Sequence, residues 1–203
     1  MSNEHGDILK VSLEKERANK IELSIEGINI TFANAIRRYG MMRTPILAID
    51  NVVFYDNTAW IFDEYLSHRL GMMPITTPEK LPQDVEVIFT LDETGPKIVY
   101  SKDIKSNDKE ISVAREQIPL LTLNENQRLR FEAKAKLGYG TKHAKFQAGL
   151  VTYEAIGENK FKFKVESFYQ MKPTEVIVRG CNELEKDLAE AAKELKKAEK
   201  KKD

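Results

Sequence analysis

Two residues that could bind a metal, Glu64 and His68, lie four positions apart in the stretch EYLSHRLGMMP. On a helix this spacing puts both side chains on one face, where they could supply two metal ligands. The chain has no HExxH-like spacing to complete a site, and His5 and His143 belong to unrelated segments. The pattern therefore disfavours a metal site and leaves open a helix that docks against another protein. A small hydrolase or transferase that uses Glu64, His68 and His143 stays an alternative, although the sequence places these residues in separate docking elements.

Nucleophilic and phosphate-binding chemistry match the sequence less well. There is no GxSxG motif, and Cys181 lies among apolar residues at helical spacing, so we interpret its thiol as a core side chain. The segment GYGTKHAKF, residues 138–146, contains GxG and two lysines but neither the P-loop spacing nor GxGxxG. We expect its glycines to permit a positive φ at a turn. This basic segment and the lysine-rich end of the chain leave an RNA-binding or ribosome-associated protein as the alternative function.

Composition narrows the class of protein. The 203 residues are 41% hydrophobic and carry 32 basic and 32 acidic side chains, so no broad positive field for nucleic acid is expected. A single cysteine cannot form an internal disulfide, a four-thiolate zinc site or an iron-sulfur cluster. The start, MSNEHGDILK, lacks the apolar core of a signal peptide, and no apolar run approaches the roughly 20 residues that span a bilayer. We therefore expect a soluble, cytoplasmic protein.

Apolar periodicity predicts a hairpin followed by a short helix near the start of the chain. Alternating apolar residues indicate two half-buried strands, and these residues are Leu9, Val11, Leu13, Ile21, Leu23 and Ile25. The spacing of Phe32 and Ile36 then predicts an amphipathic helix over about residues 31–42, with Asn29 or Thr31 as its cap.

The rest of the chain reads as a β-rich region followed by one more strand and a long helix. Alternating runs such as VEVIFTL and LRFEAKAKL predict strands between residues 46 and 156. The strand FKFKVES follows, and a helix is predicted from about Pro173, because proline is tolerated in a first helical turn.

An apolar seam runs along the predicted long helix. Its residues step by three or four positions and are Cys181, Leu184, Leu188, Ala191 and Leu195. The seam either covers the protein's own sheet or meets a helix of a partner. We favour a partner, because a small hairpin sheet has little surface left to cover so long a seam.

Three polar clusters combine hydrogen-bond donors with neighbouring apolar residues. They are NAIRR in the first helix, SHRLG at the end of the second and TKHAK in the later loop. Mixed surfaces of this kind have the composition of protein interfaces more than of active sites.

These segments carry a resemblance to a known family. FANAIRR is followed by TPILAID, and FDEYLSHRLGMMPI contains a DE-x-x-x-HRLG-x-x-P pattern; VYSKDI, GYGTKHAKF and FKVESFYQMKPTEVI then come in order. Over about residues 8 to 190 the chain resembles the D subunit of archaeal RNA polymerase, a relative of the third subunit of eukaryotic RNA polymerase II and of the bacterial α subunit's N-terminal domain.

The resemblance implies an α+β fold in two parts. A dimerisation domain, made of a small antiparallel sheet with a short and a long helix, would comprise residues 1–46 and 158–203. A β-rich insert domain, residues 47–157, would interrupt it.

The resemblance also implies a function. The chain would be a non-catalytic assembly subunit of a multisubunit DNA-directed RNA polymerase that pairs with the smaller subunit L. The pair would form the platform on which the large catalytic subunits assemble for transcription, aided by small subunits N and P. No direct contact with promoter DNA is expected. Many relatives hold an iron-sulfur cluster or zinc in the insert domain, but residues 85–101 contain no cysteine here, so we expect no cofactor.

Transferred one residue at a time, the resemblance implies two interfaces. The interface with the large subunits would comprise Asn34, Arg37, Arg38, His68, Arg69, Leu70, Gly71, His143 and Lys145. The dimerisation interface would comprise Phe32, Ile36, Cys181, Leu184, Leu188 and Leu195.

Overall fold

A computed structural model describes residues 9–82 and 84–200, which form antiparallel sheets and three α-helices; His5 lies outside the described residues. The strands are β1 (Lys10–Arg17), β2 (Lys20–Glu26), β3 (Ile46–Asn57), β4 (Glu86–Thr94), β5 (Lys97–Tyr100), β6 (Lys105–Ser106), β7 (Pro119–Leu123), β8 (Arg128–Gly138), β9 (Gly149–Gly157) and β10 (Lys160–Ser167). The helices are α1 (Ile30–Met42), α2 (Asp63–Gly71) and α3 (Pro173–Glu199). The mixed α and β architecture expected from the sequence is confirmed.

The chain divides into two compact units. The first contains the described residues up to 44, residues 148–168 and the residues from 172 onward, and the second contains residues 45–147 and 169–171. The second unit ends before the predicted insert boundary at 157, because β9 pairs along its whole length with β10 in the first unit. A strand whose backbone hydrogen bonds are made in one sheet belongs to the unit that contains that sheet.

The first unit is built on an antiparallel sheet of strand order β1-β2-β10-β9. The predicted hairpin is confirmed, but β1 is exposed along its whole length rather than half-buried. One face is apolar and its central residues are buried: Ile21, Leu23, Ile25, Phe161, Phe163 and Val165. The opposite face carries lysine and glutamate pairs, such as Lys162 with Glu14 and Glu22 at 2.9 and 3.0 Å. The two faces therefore follow the period-two alternation of the sequence.

Helix α1 begins one residue earlier than predicted and is capped as expected. The Asn29 side chain accepts a hydrogen bond from the Phe32 backbone N–H at 2.8 Å, which satisfies one of the free donors of the first turn. The helix packs on β9 and on α3. Its end is tied to α3, because the buried Thr44 hydroxyl donates to the Val176 carbonyl at 3.0 Å.

Helix α3 uses one face to cover its own sheet and leaves the predicted seam on another. It packs on α1, β10 and β2 through buried residues that include Val176 and Gly180. Leu188 and Leu195 are 60% and 69% exposed, while Cys181 and Leu184 are half-buried. The exposed leucines therefore do not cover the protein's own sheet, which favours the interpretation that the seam meets a partner.

The second unit is a sheet of order β3-β8-β4-β6, a smaller β5-β7 pair and α2. Helix α2 packs on β3. The predicted alternation in β4 and β8 is confirmed, since the inward residues of both strands are buried in one continuous core: Val87, Phe89, Leu91, Leu129, Phe131, Ala133 and Ala135.

The close contact between α1 and α3 leads to a prediction. A Cβ atom added to Gly180 would lie 2.7 Å from the Gly40 nitrogen and 2.8 Å from its Cα, and these backbone atoms cannot rotate away. We expect Gly180→Ala to lower the free energy of unfolding by about 1–3 kcal/mol, despite the better helix propensity of alanine. Urea unfolding measures this, with Gly157→Ala as control, because a Cβ there meets nothing closer than 3.6 Å. Equal stability of both variants would contradict the close-contact account.

Candidate functional site

A cleft of about 300 Å³ in the second unit joins two of the predicted docking segments. Its lining includes His68, Gly71 and Met72 from the end of α2, and His143 and Lys145 from the loop after β8. The two histidines lie in separate elements, as expected, but the fold brings both to one cleft. We call this site, lined by those five residues and part of β3, the α2 cleft.

Lys145 lies at the α2 cleft but is already paired within the unit. Its ammonium group is 2.7 Å from Asp50 Oδ1 and donates to the Ile49 carbonyl at 3.1 Å. The register of β3 shifts between Ile49 and Asn51, and this bulge turns both acceptors toward the lysine. The hydrogen bond from Lys145 lowers the pKa of the Asp50 carboxyl, although partial burial opposes the shift. Lys145 thus holds the loop to β3, and its predicted contact with the large subunits stays a prediction.

The two histidines of the α2 cleft are exposed. His143 Nδ1 accepts a hydrogen bond from the Lys145 backbone N–H at 3.0 Å and so caps a short 3₁₀ turn. Glu64 does not line the cleft. Among residues 9–82 and 84–200, no three histidine, cysteine, aspartate or glutamate side chains come together as metal ligands would.

The first glycine of the GYGTKHAKF segment, Gly138 at the end of β8, serves packing rather than a turn. Gly138 does not have a positive φ, which among the described glycines occurs at Gly27. A Cβ at Gly138 would lie 2.6 Å from the Phe146 ring, so only glycine lets this buried ring rest on β8. The expectation of a positive φ at Gly138 is therefore wrong.

Most of the HRLG segment is structural. Leu70 is fully buried in the core of the second unit and cannot be presented to a neighbour. Arg69 donates from Nη2 to the Pro119 carbonyl at 2.5 Å and so links α2 to β7. Gly71 is the last residue of α2 rather than its cap, a position that Met72 takes with right-handed backbone angles. Of the segment's four predicted interface residues, His68 alone presents a largely exposed side chain.

The polar face of α1 lies in the first unit and is partly self-satisfied. Asn34 Oδ1 accepts from Arg37 Nε and Nη2 at 3.1 and 2.9 Å, whereas the Arg38 side chain is exposed. Ile36 is buried in the unit's own core, so its predicted place in the dimerisation interface is corrected, while Phe32 is 42% exposed.

A polar link between α1 and α3 has no signal in the sequence. Arg43 Nη2 donates to both carboxylate oxygens of Asp187 at 2.9 and 2.7 Å, and the Tyr39 hydroxyl donates to Oδ2 at 2.9 Å. The Tyr39 hydrogen bond and then Arg43 lower the pKa of Asp187. The partners are more than 140 positions apart, so no local pattern could have indicated them.

Burial raises the pKa of the Cys181 thiol above its usual range. The protonated form is favoured, because a thiolate loses hydration in apolar surroundings. This agrees with the interpretation of Cys181 as an apolar side chain rather than a nucleophile.

Comparison with known proteins identifies the class to which this fold and these motifs belong. The model of the RNA polymerase Rpb3/RpoA insert domain matches residues 49–156, which is more than half of the chain. These residues contain most of β3, all of α2 and the α2 cleft.

Individual relatives refine this result. The chain is 40% identical over 153 residues to the DNA-directed RNA polymerase subunit Rpo3 of Pyrococcus furiosus, covering 72% of this chain and 59% of that protein. It is 36% identical over 172 residues to Rpo3 of Thermococcus kodakarensis, covering 81% and 66%. It is 40% identical over 148 residues to Rpo3 of Methanocaldococcus jannaschii, covering 73% and 76%. The chain thus belongs to the family of the archaeal RNA polymerase subunit Rpo3, also called the D subunit, and the resemblance drawn from its motifs is confirmed.

Two further facts accompany the family assignment. The matched region spans less than two thirds of the length of the Pyrococcus and Thermococcus relatives. In the part of the chain that the structure describes, no helix combines the length and apolarity needed to cross a bilayer.

The Asp50 and Lys145 pair predicts an acid dependence of stability. The pKa of Asp50 is lowered in the folded state, so its ionised carboxylate adds to the free energy of unfolding. This stabilisation is present above the ordinary carboxyl pKa of about 3.9 and is lost as the pH falls through the lowered value. We expect Asp50→Asn to be less stable than the wild type at pH 7 and to converge with it at low pH. Chemical unfolding from pH 7 to about pH 2 measures this, with the exposed Asp84→Asn as control. A constant difference across the range would contradict the assignment.

Proposed function

We propose that this chain is a non-catalytic assembly subunit of a multisubunit DNA-directed RNA polymerase. Its first unit pairs with the smaller subunit L, and its second unit offers docking surfaces to the large catalytic subunits and to small subunits N and P. The single observation that supports the pairing most strongly is an apolar surface on the first unit that its own helices leave uncovered. The proposed action is binding alone and requires no cofactor.

Strand β1 supplies one part of this surface. Val11 lies opposite Ile25 and Leu13 opposite Leu23 in the antiparallel register, so these side chains point to the apolar side of the sheet. Every residue of β1 is nevertheless exposed, with Val11 at 59% and Leu13 at 53%. Helices α1 and α3 pack on β9, β10 and β2, and therefore leave β1 bare.

The outer face of α3 supplies the other part. Val178 and Leu188 are 54% and 60% exposed, and the half-buried Leu184 lies between them in the sequence. We define Val11, Leu13, Leu184 and Leu188 as the β1/α3 face. Large apolar side chains left exposed on a folded protein favour an interaction surface, and we propose that β1 and α3 both contribute to it. Obligate interfaces bury about 2,000 Å² or more. Burial of apolar area contributes roughly 25 cal/mol per Å² of favourable free energy, before the costs of association are subtracted.

The second unit would dock through side chains that are exposed at the α2 cleft. His68 and Met72 at the α2 cleft are exposed, as is His143. In the first unit Arg38 is the exposed cation of the α1 polar face. These mixed polar and apolar side chains suit a rim of a protein interface.

The RNA-binding alternative finds less support in the geometry. The TKHAK segment offers fewer free charges than its sequence indicates, because Lys145 pairs with Asp50 and is only 15% exposed. The relatives are named as polymerase subunits. The two functions differ in salt dependence, since phosphate contacts weaken steeply with salt whereas apolar burial does not.

Native mass spectrometry of the chain, alone and mixed with its own organism's subunit L at low and high salt, tests the proposal. We expect a one-to-one complex that survives high salt, because its energy comes mainly from apolar burial. A chain that stays monomeric and forms no complex with L at either salt concentration would overturn the proposed function.

A charge on the β1/α3 face should abolish this pairing. We expect Leu184→Asp with Leu188→Asp to weaken the affinity for L by more than about tenfold, because carboxylates would have to be buried without partners. Leu188→Asp alone, at a 60% exposed position, should weaken it without disturbing the fold. The control is Leu150→Asp, since Leu150 lies opposite Glu166 on the charged face of the same sheet and is 44% exposed. Titration calorimetry measures the affinities, and equal loss in the control would count against the β1/α3 face.

A further inference from the structure

The loop between β3 and α2, residues 58–62, exposes two large aromatic side chains. Trp60 and Phe62 are 75% and 79% exposed, the highest values among the large hydrophobic residues that the structure describes. Neither residue lines the α2 cleft. Tryptophan and phenylalanine bury most of their area in folded proteins, so two such side chains in water within three positions require an explanation. We call this segment the aromatic loop.

The aromatic loop is held in place by its own hydrogen bonds. The Asn57 side chain donates to the Ile61 carbonyl at 3.0 Å and to Asp63 Oδ1 at 2.6 Å, and it accepts from the Ala59 N–H at 3.2 Å. The exposure of the rings is thus a property of an ordered segment. A surface that is already ordered loses less entropy when it binds.

A second set of bonds fixes the start of the loop to the neighbouring strand. The Thr58 N–H donates to the Arg128 carbonyl at 3.0 Å, and the Arg128 N–H donates back to Thr58 Oγ1 at 2.7 Å. The Trp60 segment is therefore anchored at β8 as well as at α2.

The N-cap position of α2 holds a phenylalanine, where polar residues are preferred. Phe62 occupies the N-cap position of α2 and makes no side-chain cap hydrogen bond. Serine, threonine, aspartate and asparagine are strongly preferred there because they satisfy a free backbone N–H. A residue that breaks a local rule without a gain inside the fold indicates a role outside it.

The elements on both sides extend the exposed aromatic character. Tyr55 in β3 is 60% exposed, with the Arg130 guanidinium 5.4 Å from its ring centre, and Tyr65 in α2 is 59% exposed. Aromatic residues and arginine are the types that contribute most binding energy at protein interfaces.

The charges beside the loop decide between two kinds of partner. Exposed aromatic rings can stack on unpaired bases, but such sites combine the rings with a positive groove. Here the loop leads into Asp63 and Glu64, both exposed, and follows Asp56. Arg128 is engaged with Asp92 at 2.9 Å. Carboxylates next to the rings repel phosphates and attract lysine and arginine.

We propose that the aromatic loop docks into an apolar pocket, bordered by basic side chains, on another protein subunit of the polymerase. The inference rests on the proposed function and adds to it a second contact of the second unit, separate from the α2 cleft. Trp60 and Phe62 enter the pocket, and Asp63 and Glu64 meet the basic border.

Trp60 is the only tryptophan of the chain, so it can be observed directly. The chain is labelled with 5-fluorotryptophan and mixed with its own organism's purified polymerase subunits, and native mass records whether the assembly forms. The ¹⁹F resonance is compared in H₂O and D₂O, because a solvent-exposed ring shows an isotope shift that a buried ring loses. A parallel sample receives an oligouridine of about ten nucleotides, which matches the site sizes of single-strand binders.

We expect the isotope shift of Trp60 to vanish in the assembly and to persist with the oligonucleotide. A complete assembly in which Trp60 stays exposed would overturn the inference and leave the proposed function intact. Protection by the oligonucleotide would overturn it in favour of nucleic acid binding, and failure of any assembly to form would overturn both proposals.

Variants give an independent measure. Trp60→Ala with Phe62→Ala should keep the pairing with subunit L but lower the affinity for the remaining subunits by about tenfold or more, as for central aromatic residues of interfaces. Ile98→Ala is the control, because Ile98 is a 47% exposed apolar residue of the same unit outside the loop. Unchanged affinity of the double variant, or an equal loss in the control, would overturn the inference.

Discussion

The first unit depends on the direct backbone contact of α1 with α3 at Gly40 and Gly180. The absence of both side chains lets the helices approach until a Cβ on Gly180 would lie within 2.7 Å of the Gly40 nitrogen. Thr44 and Asp187 then fasten the two helices by hydrogen bonds. This pairing places α3 on β10 and β2 and α1 on β9, so the bare state of β1 follows from the position of the helices. With β1 exposed and Leu188 on the outer side of α3, the first unit has apolar side chains available to a partner.

In the second unit, most residues of the sequence motifs hold the fold together rather than form a contact surface. Within HRLG, Leu70 fills the core and Arg69 ties α2 to β7. In TKHAK, Lys145 fastens the loop to the bulge of β3. The motifs keep their surroundings in one arrangement, and the side chains left over, such as His68 and Met72, are the ones that can meet another protein. Membership of a motif therefore does not by itself make a side chain available for contact.

The spacing of apolar residues predicted most of the secondary structure. The buried residues of β4 and β8 followed from spacing, because burial on one face imposes that spacing. The start of α3 and the approximate bounds of α1 also needed the proline and cap signals. Features that depend on distant residues did not follow. The role of Gly138 requires Phe146 to lie above it, and the assignment of β9 to the first unit requires its pairing with β10. The aromatic loop also has no signal in the sequence, since its apolar residues are too few to show a period.

Strand β1 is an edge strand that combines charged side chains with exposed apolar ones. Five of its eight residues are charged, although its apolar side chains are left in water. Charged side chains on a sheet edge hinder backbone pairing with stray strands of other molecules. These charges therefore protect the free chain against pairing of sheet edges, although the apolar side of the strand is exposed. The charges of the strand thus oppose unwanted strand pairing and leave its exposed apolar side chains available for a specific contact.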